Sequence, residues 1–372
     1  MPQTDIIRMG TRVAEARQRA GLTQVELATA TSLDRSALAK IEKGSRRVSA
    51  LELARIAHAV DERIEWFVAE AVPAVVSHRN AVDPGSASPA IDRLVDRVTR
   101  NVEFLLRLDP QLSLAELDRL DRPAGTDEAE TAASDARRLL GFDASQPALD
   151  LATAASRAGV LAFSFDLGQG AADAASILLP QGAVVVVNGS LQVGRRRLSL
   201  AHDIGHCLFA DEYVVDWNTA GRDDNGTWEA RLDRFARALL LPAAELRSQW
   251  SHLRKLDDTR TAAVKIGSRF RVDMSTLARR LLEIGQVDPA EAQLVRTTRT
   301  TKADIVELNL LLHDELSVPT LARAYEQSVL RLYRSATISA ARATDLLFDV
   351  WTEEDLPILP EAPAESIWGL IQ

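Results

Sequence analysis

Two histidines in the segment LAHDIGHCLFAD, residues 200–211, have the spacing of a zinc-binding helix. His202 and His206 are four residues apart, so on a helix both imidazoles lie on one face, where they can bind the same ion. Between them stands Asp203, where a metallopeptidase helix has the Glu that acts as general base. The pattern leaves three alternatives: a peptidase site, a metal site without catalysis, or two histidines on an ordinary helix.

A catalytic zinc ion needs a third protein ligand and an open position for water. Downstream, the segment TWEARLDRFARALLLP (227–242) predicts a helix with a buried apolar stripe and with Glu229 near its start. Glu229 is therefore the best candidate for the third ligand. Because Cys207 is the only cysteine, an internal disulfide and a Cys-rich zinc module are both excluded.

The side chain of Asp203 is one methylene shorter than that of the usual Glu. In a His-Glu-x-x-His site the Glu carboxylate lies within about 3 Å of the water from which it accepts a proton. A shift of about 1 Å in such a group can cost about 100-fold in rate. Three outcomes remain: slow or substrate-assisted cleavage, a shifted backbone or second water that restores the reach, or a metal site for structure or sensing.

These residues need a framework of strands and helices. Three segments rich in β-branched residues predict strands over 160–168, 175–180 and 183–188. Helical patterns precede and follow them, at 132–140, 147–157, 194–210, 227–240, 259–270 and 274–284. The sequence therefore predicts a central α+β domain with a small sheet, in which the histidine helix follows the last strand.

The pattern of the N-terminal part predicts short capped helices packed around one core. Capping boxes at Thr23 and Ser49, with Glu26 and Glu52 three residues later, predict two helix starts. Asp34 is the expected N-cap of a helix over 34–43. The expected core residues recur at helical spacing: Val13, Ala16, Val25, Leu27, Ala28, Leu38, Ile41, Leu51, Leu53 and Ile56.

This arrangement fits a helix-turn-helix whose second helix enters the major groove of DNA. Residues 35–47 carry five basic residues against Glu42 alone. We expect the side chains of the second helix to face base edges and the flanking residues to reach phosphates. The base-facing candidates are Arg35, Ser36 and Lys40, and the phosphate-facing candidates are Gln24, Arg46 and Arg47. The alternative is a helical interaction module that does not bind DNA.

Length, composition and charge limit the number of domains and the classes of protein that the sequence can represent. The 372 residues are 46 % hydrophobic and 26 % charged, as in ordinary globular protein, and suffice for two or three domains. The net charge of −9 argues against a protein that coats nucleic acid indiscriminately. No apolar run approaches the ~20 residues of a membrane span, and the N-terminus lacks a signal-peptide pattern. We therefore expect a cytoplasmic protein without a membrane partner.

Two resemblances to known families add to this reading. The stretch RQRAGLTQVELATATSLDRSALAKIEKGSRRVSALELARIAHAVD (17–61) resembles the lambda-repressor-like (XRE) helix-turn-helix family, which implies a homodimer on a double-stranded DNA operator. The motifs RRLSLAHDIGH (196–206), E-x-x-L-x-x-F-A-x-x-L-L-L-P (229–242) and AAVKIGSRFRVDMSTLARRLLEIG (262–285) are similar to those of the ImmA/IrrE zinc peptidase family. That second resemblance implies Zn²⁺ held by His202, His206 and Glu229, with Asp203 at the catalytic position.

The expected protein is multidomain and mainly α. Its parts are an all-α helix-turn-helix domain over 1–70, a linker with an amphipathic helix over 71–130, an α+β zincin-like domain over 131–290 and a helical C-terminal region over 291–372. The function implied is a transcriptional regulator that cleaves a partner repressor or antitoxin. The alternatives are a non-catalytic transcription factor with a structural or sensing metal site, and one component of a toxin–antitoxin system.

Overall fold

The computed structural model describes residues 3–60, 62, 64–68, 76–79, 89–168, 170–209, 222–311 and 313–359. The chain divides into two compact units, Met1–Ala74 and Val75–Gln372. Among the described residues, no helix combines the length and the apolar character that crossing a membrane requires.

The first unit is a bundle of short helices: α1 (Gln3–Arg19), α2 (Gln24–Thr31), α3 (Arg35–Glu42), α4 (Ala50–Ala59) and α5 (Ile64–Val68). Both expected capping boxes are present, at the starts of α2 and α4. Asp34 is the N-cap of α3, although its side chain makes no capping hydrogen bond. The helix starts were thus readable from the sequence, because a capping box is a local pattern.

The core of this unit confirms most of the expected residues and corrects two. Val25 is 55 % exposed and Leu51 is 74 % exposed. Each lies two residues before a buried leucine, Leu27 or Leu53, which places it about 200° around the helix on the opposite face. The remaining eight expected residues are buried, together with Ala57, Val60 and Phe67.

Helix α1 contacts the end of α3 at a glycine. A Cβ atom added to Gly10 would lie 2.3 Å from the carbonyl oxygen of Ile41 and 2.9 Å from that of Glu42. No side chain fits at such distances from backbone atoms, so Gly10 lets α1 approach α3 closely. The position of α3 in the unit therefore depends on this contact.

A four-stranded sheet forms the centre of the second unit, with strand order β1-β3-β4-β2. The strands are β1 (Val76–Arg79), β2 (Val160–Phe165), β3 (Ala174–Leu178) and β4 (Ala183–Asn188). β2 is parallel to β4, whereas β3 is antiparallel to both β4 and β1. All six residues of β4 are buried, as expected of a central strand covered on both faces.

Helices pack on the sheet and on one another through the rest of the unit. They are α6 (Pro89–Leu108), α7 (Thr126–Leu139), α8 (Leu151–Arg157), α9 (Val193–Leu208), α10 (Arg222–Leu240), α11 (Ala243–Leu253), α12 (Thr259–Phe270), α13 (Met274–Glu283), α14 (Pro289–Thr297), α15 (Lys302–Glu307), α16 (Arg323–Arg334) and α17 (Ala340–Leu346), followed by a 3₁₀ turn (Glu353–Asp355). α9 packs against β3, β4 and α10.

Different helices pack on the two faces of the sheet. Val185 and Val187 belong to the large core that contains α9 and α10. Because side chains alternate along a strand, Val186 points to the other face. Phe163, its partner in register on β2, makes an edge-to-face contact with Tyr325 of α16, with ring centroids 5.2 Å apart. The C-terminal helices therefore complete the second face of the sheet.

Part of the range interpreted from the sequence as a linker belongs to the second unit. β1 pairs with the edge of β3, and α6 packs against β3 and β4. The apolar stripe of α6 is fully buried, at Ile91, Val95, Val98, Val102 and Leu105. The amphipathic pattern was legible in the sequence, but not which surface the helix covers, because that surface is formed by strands more than 50 residues away.

The segment 313–320, called here the C-terminal strap, joins the sheet as well. Thr320 and Ser164 exchange backbone hydrogen bonds of 2.8 and 2.9 Å, and the Ser164 hydroxyl donates to the Leu316 carbonyl. Glu315 forms an ion pair with Arg197 of α9 and accepts a hydrogen bond from the backbone N–H of Ala152 in α8. The strap therefore holds α8, α9 and β2 together.

Candidate metal centre and nucleic-acid interface

The helix that carries the two histidines is deeply buried. From Arg196 to Leu208 every residue of α9 is buried, because the helix packs between the sheet and α10. Gly205 allows the close approach of α10, since a Cβ atom there would lie 3.0 Å from Leu232 and from Phe235. The histidines therefore lie within the core of the unit, at the contact between α9 and α10.

The structure brings together the three residues predicted as metal ligands. One ligand atom from each of His202, His206 and Glu229 lies within 4.8 Å of the other two. The two Nε2 atoms are 3.1 Å apart, and Glu229 carboxylate oxygens lie 3.2 Å from His202 Nε2 and 3.8 Å from His206 Nε2. The histidine side chains are almost fully buried, whereas Glu229 is 35 % exposed.

These separations fit a single zinc ion. With ligand distances of about 2.0–2.1 Å, neighbouring ligands of a tetrahedral site are about 3.3 Å apart. The three measured separations, 3.1, 3.2 and 3.8 Å, lie around this value. Imidazole nitrogen and carboxylate oxygen also form the donor set that zinc prefers. The residues present therefore fit the metal that the sequence predicts.

On the first unit, the predicted DNA-contacting residues fall into two groups. Arg35, Ser36, Lys40 and Arg47 are exposed on α3 and on the loop that follows it. Gln24 and Arg46 are instead engaged within the unit. The Gln24 amide donates to Glu42 at 2.7 Å, and Arg46 donates to Glu52 at 2.6 Å.

Comparison with known proteins matches the same two regions. Residues 13–67 match the family model for the helix-turn-helix, and residues 155–282 match the model for the IrrE N-terminal-like domain. The chain joins an XRE-type helix-turn-helix domain to an ImmA/IrrE-like domain. Among solved structures, the restriction-modification controller protein C.AhdI from Aeromonas hydrophila matches at 34 % identity over 17 % of this chain and 97 % of its own, with a TM-score of 0.17. A search of curated proteins found no match.

Within the IrrE-like domain, Asp203 directly follows His202 on α9. It is fully buried, and it is not one of the three residues whose ligand atoms lie within 4.8 Å of one another. Cys207 lies one turn further along α9. Burial raises the pKa of the Cys207 thiol, the charge of Asp203 raises it further, and a hydrogen bond with Ser176 opposes both effects.

Asp233, which was not predicted from the sequence, contacts a predicted ligand. Its Oδ1 atom lies 3.1 Å from Nδ1 of His202, on the side of the ring away from His206 and Glu229. The available signal was its spacing from Glu229: residues four apart lie on one face of a helix. That face of α10 therefore presents two carboxylates to α9.

A network of ion pairs joins α10 to two further helices, α7 and α13. Arg280, fully buried, forms an ion pair with Glu130, which also pairs with Arg234 at 2.7 Å. Burial raises the pKa of Glu130, but hydrogen bonds and charge from Arg280 and Arg234 hold it below its ordinary value. Arg237 pairs with Glu283 at 2.8 Å. These contacts fix α10, and with it the side of the site that carries Glu229.

Proposed function

We propose that the protein is an operator-binding transcription regulator whose IrrE-like domain holds one Zn²⁺ and cleaves a partner repressor or antitoxin. One observation carries this proposal: three ligand atoms from α9 and α10 lie within 4.8 Å of one another, at separations that suit zinc. The resemblance to the ImmA/IrrE family supports the substrate class, and DNA binding supports a cytoplasmic location.

Two histidines and one glutamate form a set typical of hydrolytic zinc sites. Such a set leaves one position of the metal open, whereas structural zinc sites have four protein ligands. A zinc ion held here would polarise a peptide carbonyl and lower the pKa of a water molecule. His202 and His206 would supply neutral imidazole ligands, and the more exposed Glu229 would lie on the side open to a substrate.

A second candidate function is a metal site without catalysis, which the shorter side chain of Asp203 favours. The residue stands at the position of the general base, is fully buried and has one methylene fewer than Glu. Its carboxylate therefore reaches less far towards a water at the metal site, and proton transfer requires a distance of about 2.6–3.2 Å or one bridging water. In this case zinc would stabilise or signal a state of the regulator.

One experiment separates the two functions. Purified wild type, Asp203→Glu, Asp203→Ala and His202→Ala are analysed for bound zinc and tested for cleavage of the protein encoded by the neighbouring gene. Peptidase function predicts about one zinc per chain and cleavage by wild type but not by Asp203→Ala. The non-catalytic function predicts the same zinc content and no cleavage by wild type. His202→Ala controls for the site, and wild type without zinc contradicts both functions.

Operator binding has its own test. DNA from the promoter of the gene is titrated with wild type, Arg35→Ala and Arg138→Ala, a control that removes an arginine 75 % exposed on the second unit. If Arg35 contacts a base edge, its loss costs about 1–3 kcal/mol of affinity, about 5-fold to 150-fold in Kd. Equal affinities for all three proteins would contradict the assignment of α3 as the recognition helix.

A further inference from the structure

We propose that Asp233 is a positioning residue that fixes the orientation of the His202 ring and thereby sets the zinc affinity of the site. This inference rests on the proposed zinc site. It adds a residue outside the set of three ligands, on the opposite side of the His202 ring.

The contact lies on the side of the imidazole that cannot reach the ion. Nε2 of His202 lies 3.1 Å from His206 and 3.2 Å from Glu229, whereas Nδ1 lies 3.1 Å from the carboxylate of Asp233. A neutral imidazole carries one proton, on either nitrogen. When Nε2 binds a metal ion the proton lies on Nδ1, where the Asp233 carboxylate can accept its hydrogen bond and hold Nε2 directed at Glu229 and His206.

Helix α10 supplies both the ligand and the positioning group. Glu229 and Asp233 are one turn apart on its polar face, and Leu232, Phe235 and Ala236 pack into the core on the other. Because α10 is anchored by this apolar face, both carboxylates keep their places relative to α9 when the metal is absent.

Asp233 is itself restrained by the ion-pair network below it. Arg237 lies 3.6 Å from Asp233 on the same helix and forms a second ion pair, at 2.8 Å, with Glu283 of α13. The guanidinium is only 11 % exposed and the Glu283 side chain 8 %. The Oδ2 atom of Asp233 thus lies near the Arg237 guanidinium, which Glu283 of α13 holds in place. The Oδ1 atom is the one that contacts the imidazole.

Carboxylates that accept a hydrogen bond from a metal-binding histidine have a measurable effect. Their loss typically costs 10-fold to 100-fold in metal affinity, because the ring is free to rotate and to change tautomer. We expect a loss of about this size for Asp233→Ala. For Asp233→Asn we expect a smaller loss, since the amide oxygen still accepts a hydrogen bond but carries no charge.

Two measurements on the whole 372-residue chain test the proposal. Zinc Kd is determined by chelator competition for wild type, Asp233→Ala, Asp233→Asn and Asp135→Ala. Asp135 is a matched control, because it is 36 % exposed against 37 % for Asp233 and also pairs with an arginine of its own helix. In addition, the exchange with water of the His202 Nδ1–H proton is followed by NMR of the zinc-loaded proteins, with His202→Gln used for assignment.

The expected result is a Kd order of wild type, Asp233→Asn and Asp233→Ala, from tightest to weakest, with Asp135→Ala equal to wild type. The Nδ1–H proton of His202 should exchange slowly with water in zinc-loaded wild type and faster in zinc-loaded Asp233→Ala. An unchanged Kd and exchange rate in folded Asp233→Ala would overturn the proposal. If wild type binds no zinc, the proposed zinc site and this inference both fail; if wild type binds zinc but cleaves nothing, only the proposed peptidase function fails, because the comparison of Kd values does not require cleavage.

Discussion

Removal of the Glu315 carboxylate should strongly destabilise the second unit. Glu315 belongs to the C-terminal strap, and its side chain is 9 % exposed against 0 % for its partner Arg197. The guanidinium of Arg197 also donates to the carbonyl of Ala148 at 2.5 Å. Burial lowers the pKa of Arg197, an effect that the Glu315 carboxylate opposes. In the variant Glu315→Ala this buried cation keeps its charge and loses its counter-charge.

The size of the effect follows from burial. Removing one partner of a buried ion pair costs about 3–5 kcal/mol, because the remaining charge stays out of water. Glu315 also accepts a hydrogen bond at 2.8 Å from a backbone N–H in the first turn of α8, a capping contact that typically contributes about 1 kcal/mol. A domain is stable by about 5–15 kcal/mol, so Glu315→Ala should remove about a quarter or more of that stability.

A control is available elsewhere in the same unit, on α7. Asp135 pairs with Arg138, which is 75 % exposed, so Asp135→Ala leaves its cation in water and should cost less than about 1 kcal/mol. Urea unfolding followed by the fluorescence of the buried Trp228 and Trp250 measures both variants. Hydrogen exchange in α9 should also rise in Glu315→Ala. Equal destabilisation by the two variants would refute the argument from burial, and no destabilisation by either would show that the strap does not hold α9.

Three further predictions concern single contacts. Gly10→Ala should lower the melting temperature of the first unit and weaken operator binding, because a Cβ atom 2.3 Å from the Ile41 carbonyl oxygen forces about 1 Å of movement. The overpacking cost of about 1–3 kcal/mol exceeds the gain in helix propensity of about 1 kcal/mol. A raised melting temperature would contradict this prediction. Hydrogen bonds from Arg46 and the backbone of Ser49 lower the pKa of Glu52 to about 2, so its stabilising contribution is complete above the ordinary pKa and is lost as pH falls towards 2. Glu52→Gln should therefore melt below wild type at pH 7, with a difference that shrinks across that range; a constant difference would rule out the carboxylate as its source. The thiol of Cys207, buried and with a raised pKa, should react with iodoacetamide only after unfolding, and rapid alkylation of the native protein would contradict its burial.

The site shows how far local patterns reach. The i, i+4 spacing of His202 and His206 places both on one helical face whatever the surroundings, so the pair could be predicted from the sequence. Glu229 could be proposed as a candidate from the predicted helix that it begins, and the family pattern supported it, but no local spacing ties it to His206, since 22 residues separate the two. Asp233 was missed although its spacing from Glu229 was visible, because nothing in the sequence shows that this face of α10 lies against the Nδ1 side of His202.

The DNA-contacting residues show the same limit. The sequence identified the basic segment after α3, but charge alone does not distinguish a free arginine from a paired one. Arg46 and Arg47 are neighbours, yet Arg46 pairs with Glu52 and Arg47 is exposed. The partner of Arg46, the Glu52 carboxylate, belongs to the capping box at the start of α4. The loop between α3 and α4 brings this carboxylate to Arg46.

The sequence by itself determined the two domain types, the starts of the capped helices, the three strands before the histidine helix and the candidate ligands. These features depend on residues close together in the chain or on a family pattern. The tertiary structure decided which surfaces meet: α6 and the C-terminal helices cover the second face of the sheet, the strap places Glu315 at Arg197, and Asp233 lies beside His202. Such contacts arise from the burial of apolar faces and the pairing of charges between distant segments, which no local pattern encodes.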